Sequence, residues 1–430
     1  MRNFTGIGLE RIRSINRGMQ KGNTKRNTFN STTLLIALCW LVYTCSYLGK
    51  LGYNANITQI EEVYSISHAT AGMVSTFFFF AYGVGQIFNG IFCRKYNIRF
   101  VVLGSLVVSG LMNILVGVSA NFTFVKYFWL INGAALSVLW PSLIRLLSET
   151  LDKKSIGRAV IAMGTTVATG TFFVYGLSAL FVACVSYVVM FFVAGILLPL
   201  IALIWFLAYP KLVKKNEEPQ QEECIQNAMI KSNKNAIFWV SVCILALFAI
   251  VDNLVKDGLT TWVPMILKEM YTLPDYMSIL LTMLLPILAI FGTSVAVMLH
   301  KKIKDFVLLA AVLFFATALL IGLVILCLPT GLIVITLGCF GIVSCLMAGV
   351  NNIITSMAPL YWKDKINSGL LAGILNGFCY LGSTLSSYGL GVIADFGGWN
   401  AVFWLLFILC IIAVVTAVCY VGRKLFVKNK

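Results

Sequence analysis

The sequence predicts an all-α membrane protein of about twelve transmembrane helices, arranged in two pseudo-symmetric halves of six. The composition and the spacing of the apolar runs carry this prediction. Of the 430 residues, 60% are hydrophobic and only 11% are charged, and the mean hydropathy is +0.92. A soluble domain carries roughly 25% charged residues, so lipid must be the main solvent of this chain. Apolar runs of about 20 residues match helices that cross a hydrocarbon core of roughly 30 Å.

Twelve apolar segments follow one another along the chain. They lie at 32–53, 70–92, 100–119, 124–147, 158–181, 184–208, 236–259, 276–299, 306–327, 330–356, 369–392 and 400–422. Outer-membrane barrels alternate apolar and polar residues instead, so these runs predict helices rather than strands. The longest connection divides them into six and six. We expect a basic N-terminal segment at 1–31, a six-helix bundle at 32–208, a charged linker at 209–235, a second six-helix bundle at 236–423 and a tail at 424–430.

Positive charge is concentrated on alternate connections. The formal net charge is +16, which taken alone is also typical of nucleic-acid binding. The lysines and arginines, however, lie in the N-terminus, the even-numbered connections and the tail, and Lys268 is the main exception. Basic connections face the cytoplasm, so we predict a multi-pass plasma membrane protein with both termini cytoplasmic and no nucleic-acid partner.

Cysteine and histidine show no metal-binding pattern. The 12 cysteines are scattered through apolar segments without a CxxC pair, and the two histidines, His68 and His300, are expected in connections. We interpret the cysteines as small buried packing residues and expect neither a metal nor a cofactor. No nucleophile–base pair and no phosphate-binding loop stands out, so the sequence does not predict an enzyme.

Two lysines lie inside apolar segments. Lys50 belongs to the first segment and Lys256 to the seventh, at similar depths. A lysine within a membrane costs about 2.5–3.5 kcal/mol and usually faces a water-filled cavity or a partner. Alternatively, both side chains lie near the outer ends of their helices and extend to the interface. Because the two positions correspond across the halves, we expect the ammonium groups on opposite walls of one cavity, where they would bind an anion.

Two carboxylates accompany the second lysine. Asp252 precedes Lys256 by four residues and therefore lies on the same helical face. We favour Asp252 as the counter-ion of Lys256 in the empty site, with proton coupling as the alternative. Asp257 follows Lys256 directly and is expected to point elsewhere, near the outer interface.

Tyrosines and amides extend this predicted site. Tyr43 and Tyr47 precede Lys50 by seven and three residues, so all three share one helix face. Two polar pairs with a spacing of four interrupt apolar runs in the second and eleventh segments, Tyr82 with Gln86 and Asn376 with Tyr380. We predict that the four tyrosine hydroxyls donate hydrogen bonds to the anion and that the two amides contact the rest of the substrate.

At these residues the chain resembles the organophosphate:phosphate antiporter family of the major facilitator superfamily, which includes glycerol-3-phosphate and sugar-phosphate transporters. The resemblance extends over about residues 35–420. Its motifs are Ala81-Tyr82-Gly83, Tyr96-Asn97-Ile98-Arg99, Asn132-Gly133, Trp140-Pro141, Lys256-Asp257-Gly258, Trp262-x-Pro264, Leu267-Lys268-Glu269, Phe378 to Gly382 and Asp395-Phe396-x-Gly398-Trp399. It implies the major facilitator fold, with Tyr43 and Tyr47 at the family's binding tyrosines and Lys50 and Lys256 at its two phosphate-binding arginines.

The chain also departs from that family. Both phosphate-binding arginines are lysines here, and a lysine is a point charge rather than a planar fork. A lysine of the family's second helix is Gln86, and its fifth-helix histidine is replaced within the stretch from Thr165 to Thr169. The superfamily's loop signature is reduced to the stretch from Gly90 to Arg94. These departures keep carboxylates and sulfonates open as substrates.

The sequence therefore predicts a secondary active transporter that moves a small organic anion by alternating access. An organophosphate or sugar phosphate is the first expectation, with phosphate or protons as coupling ion and a monomer in the lipid bilayer. One alternative is a proton-coupled exporter of cationic or amphipathic compounds, with Asp252 as the coupling acid and silent lysines. The other is a transporter-like sensor that binds its ligand and signals to a membrane partner.

Overall fold

The structure is a computed structural model that describes residues 31–92, 96–151, 153–213, 236–362, 366 and 368–428. All regular structure in these residues is helical. Most of the predicted N-terminal segment and of the predicted linker lies outside the described residues, as do Cys93 and Arg94 of the reduced loop signature.

We number the membrane-spanning helices α1 to α12. They are α1 Ser31–Ala55, α2 His68–Phe92, α3 Ile98–Val118, α4 Phe122–Thr150, α5 Lys153–Cys184, α6 Val188–Leu212, α7 Ala236–Tyr271, α8 Asp275–His300, α9 Phe306–Cys327, α10 Ile333–Tyr361, α11 (368–397) and α12 (399–428). The last two form one helical run, Ser368–Lys428, that is broken at Gly398. Gly398 has φ 68° and ψ 178°, a conformation that essentially only glycine adopts.

Eleven described stretches are long and apolar enough to cross a membrane, and the last of them contains both α11 and α12. The prediction of about twelve spans is confirmed. His68 and His300, which we expected in connections, are instead the first residue of α2 and the last of α8.

The two groups of six helices pack in corresponding ways. In the first half α2 packs against α4, and α3 packs against α4 and α6. In the second half α8 packs against α10, and α9 packs against α10 and, through Gly322 and Phe407, against α12. The equivalent pairs fall six helices apart, so the two halves repeat one arrangement.

Between the halves, α2 lies along α11 and α5 lies against α8. Small residues bring α2 and α11 close together. A Cβ atom added at Gly72 would lie 2.1 Å from the carbonyl oxygen of Ser387, and one added at Gly391 would lie 2.7 Å from that of His68. Any larger side chain at these positions would separate the helices, as is usual for closely packed membrane helices.

One predicted helix end was wrong, because helix α7 continues to Tyr271 instead of ending near 259. Helix α1 ends at Ala55, close to the predicted 53, and a short helix Ile57–Tyr64 follows after a single turn residue at Asn56. The polar residues read as helix ends lie in the interior instead. Asn54 of α1 donates to Thr261 Oγ1 of α7 at 2.8 Å, which satisfies both side chains across the two halves.

Candidate functional site

Lys50 lies in a box of aromatic rings. Its Nζ is 4.5 Å from the ring centroid of Tyr82, 5.3 Å from that of Tyr47, 5.6 Å from that of Tyr380 and 6.0 Å from that of Phe79. Three of these rings belong to the first half and Tyr380 to the second. No carboxylate of the described residues lies within 4 Å of this ammonium group. The rings stabilise the cation without neutralising its charge.

A buried amide fixes the backbone beside Lys50. Asn132 of α4 has no exposed surface, and its Nδ2 donates to the carbonyl oxygen of Gly49 at 2.8 Å. Its Oδ1 accepts a hydrogen bond from Ser109 Oγ of α3 at 2.7 Å. The Asn-Gly motif therefore joins three helices at the residue before the lysine, which restricts the direction in which that side chain can point.

Lys256 lies in a polar network instead. Its Nζ donates to Asn253 Oδ1 at 3.1 Å and is 3.7 Å from Asp257 Oδ1. Ser383 of α11 donates to the other carboxylate oxygen of Asp257. The side chains of Lys256 and Asp257 are 24% and 21% exposed, so both remain partly accessible.

Asp252 lies behind this ion pair. It is fully buried, and Asn351 Nδ2 of α10 donates to its Oδ2 at 3.1 Å and to Asn253 Oδ1 at 3.0 Å. Among the described residues, the ion-pair partner of Lys256 within 4 Å is Asp257 rather than Asp252. The expectation that Asp257 points elsewhere is therefore wrong. A spacing of four residues sets the helix face but not the direction of a side chain, and Ser383 holds Asp257 toward α11.

The predicted amides join the two halves directly. Asn376 Nδ2 of α11 donates to Gln86 Oε1 of α2 at 2.8 Å. One helical turn away, before Gln86 in α2 and after Asn376 in α11, the rings of Tyr82 and Tyr380 are 4.9 Å apart. Both pairs with a spacing of four thus lie at the interface between the halves. Tyr43 lies farther from Lys50, and its ring packs 4.7 Å from Trp140 and 5.8 Å from Tyr47.

The two lysine environments meet at α11. Tyr380 contributes a ring to the Lys50 box, and the preceding Cys379 lies 3.6 Å from the Asn351 amide of the Lys256 network. Lys50 lies five residues before the end of α1 at Ala55, and Lys256 lies 15 residues before the end of α7 at Tyr271. The alternative in which both lysines extend to the outer interface stays a prediction.

At one end the halves are joined by a charged network, which we call the closed end. His68 Nδ1 is 2.7 Å from Glu61 Oε2 of the short helix, and His68 Nε2 is 3.4 Å from Glu269 Oε1 of α7. Trp399 donates to Glu269 Oε2 at 2.7 Å. Burial raises the pKa of the Glu61 carboxyl, against the opposite effect of its hydrogen bond to His68. The network links the short helix and α2 of the first half to α7 and α12 of the second.

Two further acidic contacts strengthen the closed end. Asp395 of α11 accepts the backbone N–H of His68 at 3.0 Å and that of Ala69 at 2.9 Å, so a carboxylate of the second half caps a helix of the first. Lys268, the exception to the charge pattern, pairs with Glu62 and lies 2.7 Å from Asp275. Its charge is therefore balanced on the side of the protein that is otherwise poor in lysine and arginine.

Sequence reasoning missed Asn253, Asn351 and Phe79. The two asparagines interrupt apolar runs as Asn376 does, so the same signal could have identified them. Phe79 belongs to a run of four phenylalanines, in which no sequence feature shows which ring faces the lysine. The His68 network was also missed, because Glu269, Asp395 and Trp399 are distant from His68 in the sequence.

Comparison with known proteins gives partial sequence matches. The membrane sensor protein UhpC of Escherichia coli (strain K12) is 26% identical over 123 residues, which cover 29% of this chain and 28% of that protein. A probable hexose phosphate transport protein of Chlamydia muridarum (strain MoPn / Nigg) is 24% identical over 115 residues, 27% of this chain and 25% of that protein. The chain thus spans less than a third of the length of these curated relatives.

A solved structure matches almost the whole chain. It is a bacterial homolog of the human lysosomal transporter Spinster in an inward-facing and unoccupied conformation, with a TM-score of 0.71 and 14% identity. The match covers 93% of this chain and 98% of that one, and at this identity it shows the fold alone. Family and fold indicate a transporter rather than an enzyme. The family model of the Major Facilitator Superfamily matches residues 39–368, so the predicted fold class is confirmed and the chain belongs to that superfamily.

Proposed function

We propose that this chain carries a small organic anion, an organophosphate or sugar phosphate, across the plasma membrane by alternating access. The observation that carries the proposal is Lys50. Its ammonium group lies between the halves, partly exposed, and has no carboxylate within 4 Å in the described part of the chain. A cation held in a membrane without a counter-ion is costly, so an anion supplied from solution is its natural partner.

The surrounding groups suit an anionic head. Lys50 is a point charge, and the hydroxyls of Tyr47, Tyr82 and Tyr380 would add hydrogen bonds to the same oxygens. Lys256 would contribute from the second half while its charge is shared with Asp257. Gln86 and Asn376 would contact the uncharged part after their mutual hydrogen bond opens. An anion that contacts both halves has different affinities for the inward-facing and outward-facing conformations. This difference in affinity is the condition for the anion to shift their populations.

The charge pattern supports one orientation. The closed end is formed by the connections that are poor in lysine and arginine, so we place it outside and the basic connections and both termini in the cytoplasm. In this orientation the halves are joined on the outer side, and the substrate would reach Lys50 and Lys256 from the cytoplasmic side.

The test is counterflow in proteoliposomes. Vesicles are loaded with phosphate or with unlabelled glycerol-3-phosphate, and labelled glycerol-3-phosphate is added outside. We expect uptake by the wild type and its loss in Lys50→Ala, with Lys304→Ala as a matched control, because Lys304 lies in the connection after α8. Uptake that equals that of empty vesicles under both loadings would overturn the proposal. Uptake only with glycerol-3-phosphate inside would exclude phosphate as the counter-substrate.

A sensor is the second candidate, and the similarity to the membrane sensor protein UhpC favours it. A sensor would bind the anion without moving it. Binding of glycerol-3-phosphate to the purified protein, measured by calorimetry, combined with no counterflow under either loading would support the sensor and exclude the transporter.

A further inference from the structure

We propose that Asp252 is a proton-binding site linked to the anion site, so that the protein carries a proton together with its anion. This inference rests on the proposed function and names its coupling ion. Two carboxylates of α7 near Lys256, Asp252 and Asp257, differ in their hydrogen-bond and ion-pair partners.

Burial makes a negative charge on Asp252 costly. Asp252 has no exposed surface, and Asn351 donates to its Oδ2 at 3.1 Å. No donor in the described part of the chain reaches its Oδ1. An ionised carboxylate that is buried with one oxygen unsatisfied is unfavourable, and adding a proton removes the charge that causes the cost. The geometry therefore favours a group that changes its protonation state over a permanent anion.

Lys256 pairs with the other carboxylate. Asp257 lies 3.7 Å from Lys256 Nζ and also accepts a hydrogen bond from Ser383. Lys256 thus has a counter-ion without Asp252. Asp252 can gain or lose a proton while this ion pair stays in place.

The protonation state of Asp252 sets the net charge around the anion site. The charged and titratable groups that face Asp252 are Lys256 and Asp257 on its own helix, Cys379 on α11 and Cys410 on α12, both thiols being buried. Together with Lys50, these groups sum to one positive charge when Asp252 is protonated and to zero when it is ionised. An anion therefore binds better to the protonated protein, and by reciprocity the bound anion favours protonation.

The expected linkage has a definite sign. Asp252 is protonated at low pH, so anion affinity should fall as the pH rises through the range in which this group ionises. Allosteric coupling of this kind typically changes affinity about 5–150-fold. Asp252→Asn is a neutral, similarly shaped replacement. It should bind the anion as well as the protonated wild type does, without the pH dependence that Asp252 causes.

The experiment compares two transport assays in the same proteoliposomes with labelled glycerol-3-phosphate as the probe. Counterflow, with the same anion on both sides and no pH gradient, needs no net proton movement. Accumulation driven by an imposed inward proton gradient needs coupling. For the wild type we expect both. For Asp252→Asn we expect the ratio of gradient-driven accumulation to counterflow to fall at least tenfold below that of the wild type, and for Asp252→Glu we expect part of this ratio to return.

The outcomes separate this inference from the proposed function. A wild type with counterflow but no response to the proton gradient would overturn proton coupling and leave anion transport standing. Equal accumulation by Asp252→Asn and the wild type would overturn the role of Asp252. If the wild type shows no counterflow, the proposed function fails and this inference fails with it.

A measurement on the wild type covers the case in which the variants do not fold. Glycerol-3-phosphate is added to the purified protein in weakly buffered detergent solution, and the pH is followed with an indicator dye. We expect proton uptake of up to one per anion bound, after subtraction of the ligand's own titration. No proton uptake on saturation would overturn the inference.

Discussion

Lys50 and Lys256 occupy corresponding places in the two halves, but their surroundings differ in kind. Lys50 faces four aromatic rings and has no carboxylate within 4 Å in the described residues, whereas Lys256 faces Asn253 and Asp257. A ring attracts a cation by about 0.5–2 kcal/mol and leaves its net charge unchanged. A carboxylate cancels that charge. The first half therefore supplies free positive charge, and the second supplies a balanced network whose charge a proton can change.

The hydrogen bonds that join each lysine environment to the fourth helix of its half also differ. Asn132 of α4 holds the backbone next to Lys50, and Asn351 of α10 holds the side chains of Asp252 and Asn253 near Lys256. Both amides stand on the fourth helix of their half. An amide of the fourth helix fixes a backbone in one half and a titratable side chain in the other. Two halves with a common fold have thus diverged in chemistry at one pair of sites.

The largest expected effect belongs to Lys50→Ala. Removing the unpaired charge should lower counterflow of glycerol-3-phosphate by about 100-fold or more, since a hydrogen bond to a charged group contributes on the order of 3 kcal/mol. Lys50→Arg should recover at least a tenth of wild-type transport, because the charge returns. Uptake that survives Lys50→Ala but is lost in Asp252→Asn would favour the proton-coupled exporter of cationic compounds.

Lys256→Ala should also impair transport, but for a different reason. It leaves Asp257 half-buried and unpaired, and breaking a buried pair costs about 3–5 kcal/mol at full burial and less here. The double variant Lys256→Ala/Asp257→Asn should therefore transport about ten times better than the single variant. Counterflow by the four proteins of this cycle is the measurement. A double variant no better than Lys256→Ala would show that Lys256 acts on the substrate as an unshared charge.

Substitutions at Tyr82 distinguish the contribution of its aromatic ring from that of its hydroxyl. Its ring centroid is the one nearest to Lys50 Nζ, at 4.5 Å. Tyr82→Phe keeps the ring and should raise the KM for the anion about tenfold if the hydroxyl donates to it. Tyr82→Leu removes both and should weaken binding further. An unchanged KM in Tyr82→Phe would mean that Tyr82 acts through its ring alone.

The smallest expected effect concerns the closed end, where the half that carries Lys50 is joined to the half that carries Lys256. Asp395→Ala removes the cap that joins α11 to α2, and such caps contribute about 0.5–2 kcal/mol, so the open population should rise roughly fivefold. Distances between spin labels at Val63 and Met270 would report this shift. Asp305→Ala is the matched control, because Asp305 caps α9 within its own half. An equal shift in both variants would contradict a specific role of Asp395.

The sequence predicts the helices well because long apolar runs are a local signal that identifies the spans. A lysine inside such a run is also a local signal, and the site that it indicates stays a prediction. The two pairs with a spacing of four, Tyr82 with Gln86 and Asn376 with Tyr380, also lie together as their spacing suggests. The carboxylate that pairs with Lys256 could not be predicted, since the choice between Asp252 and Asp257 depends on Ser383 and Asn351 from other helices.

The end of α7 could not be predicted either, because it depends on contacts with other helices. The polar stretch from Lys256 to Thr261 reads as a helix end in the sequence, but it joins the two halves. Asn54 donates to Thr261 Oγ1, and Tyr175 donates to the carbonyl oxygen of Thr260. Polar residues satisfied by a second half look the same in a sequence as polar residues satisfied by water. The closed end could not be predicted for the same reason.

The central claim is that Lys50 is the free charge of the site and that Lys256 is balanced by Asp257. Its most direct test is calorimetric titration of glycerol-3-phosphate into purified wild type, Lys50→Gln and the charge-neutral pair Lys256→Gln/Asp257→Asn. The account predicts a loss of affinity of about 100-fold for Lys50→Gln and less than about tenfold for the neutral pair. The reverse order, with binding retained in Lys50→Gln and lost in the pair, would contradict it.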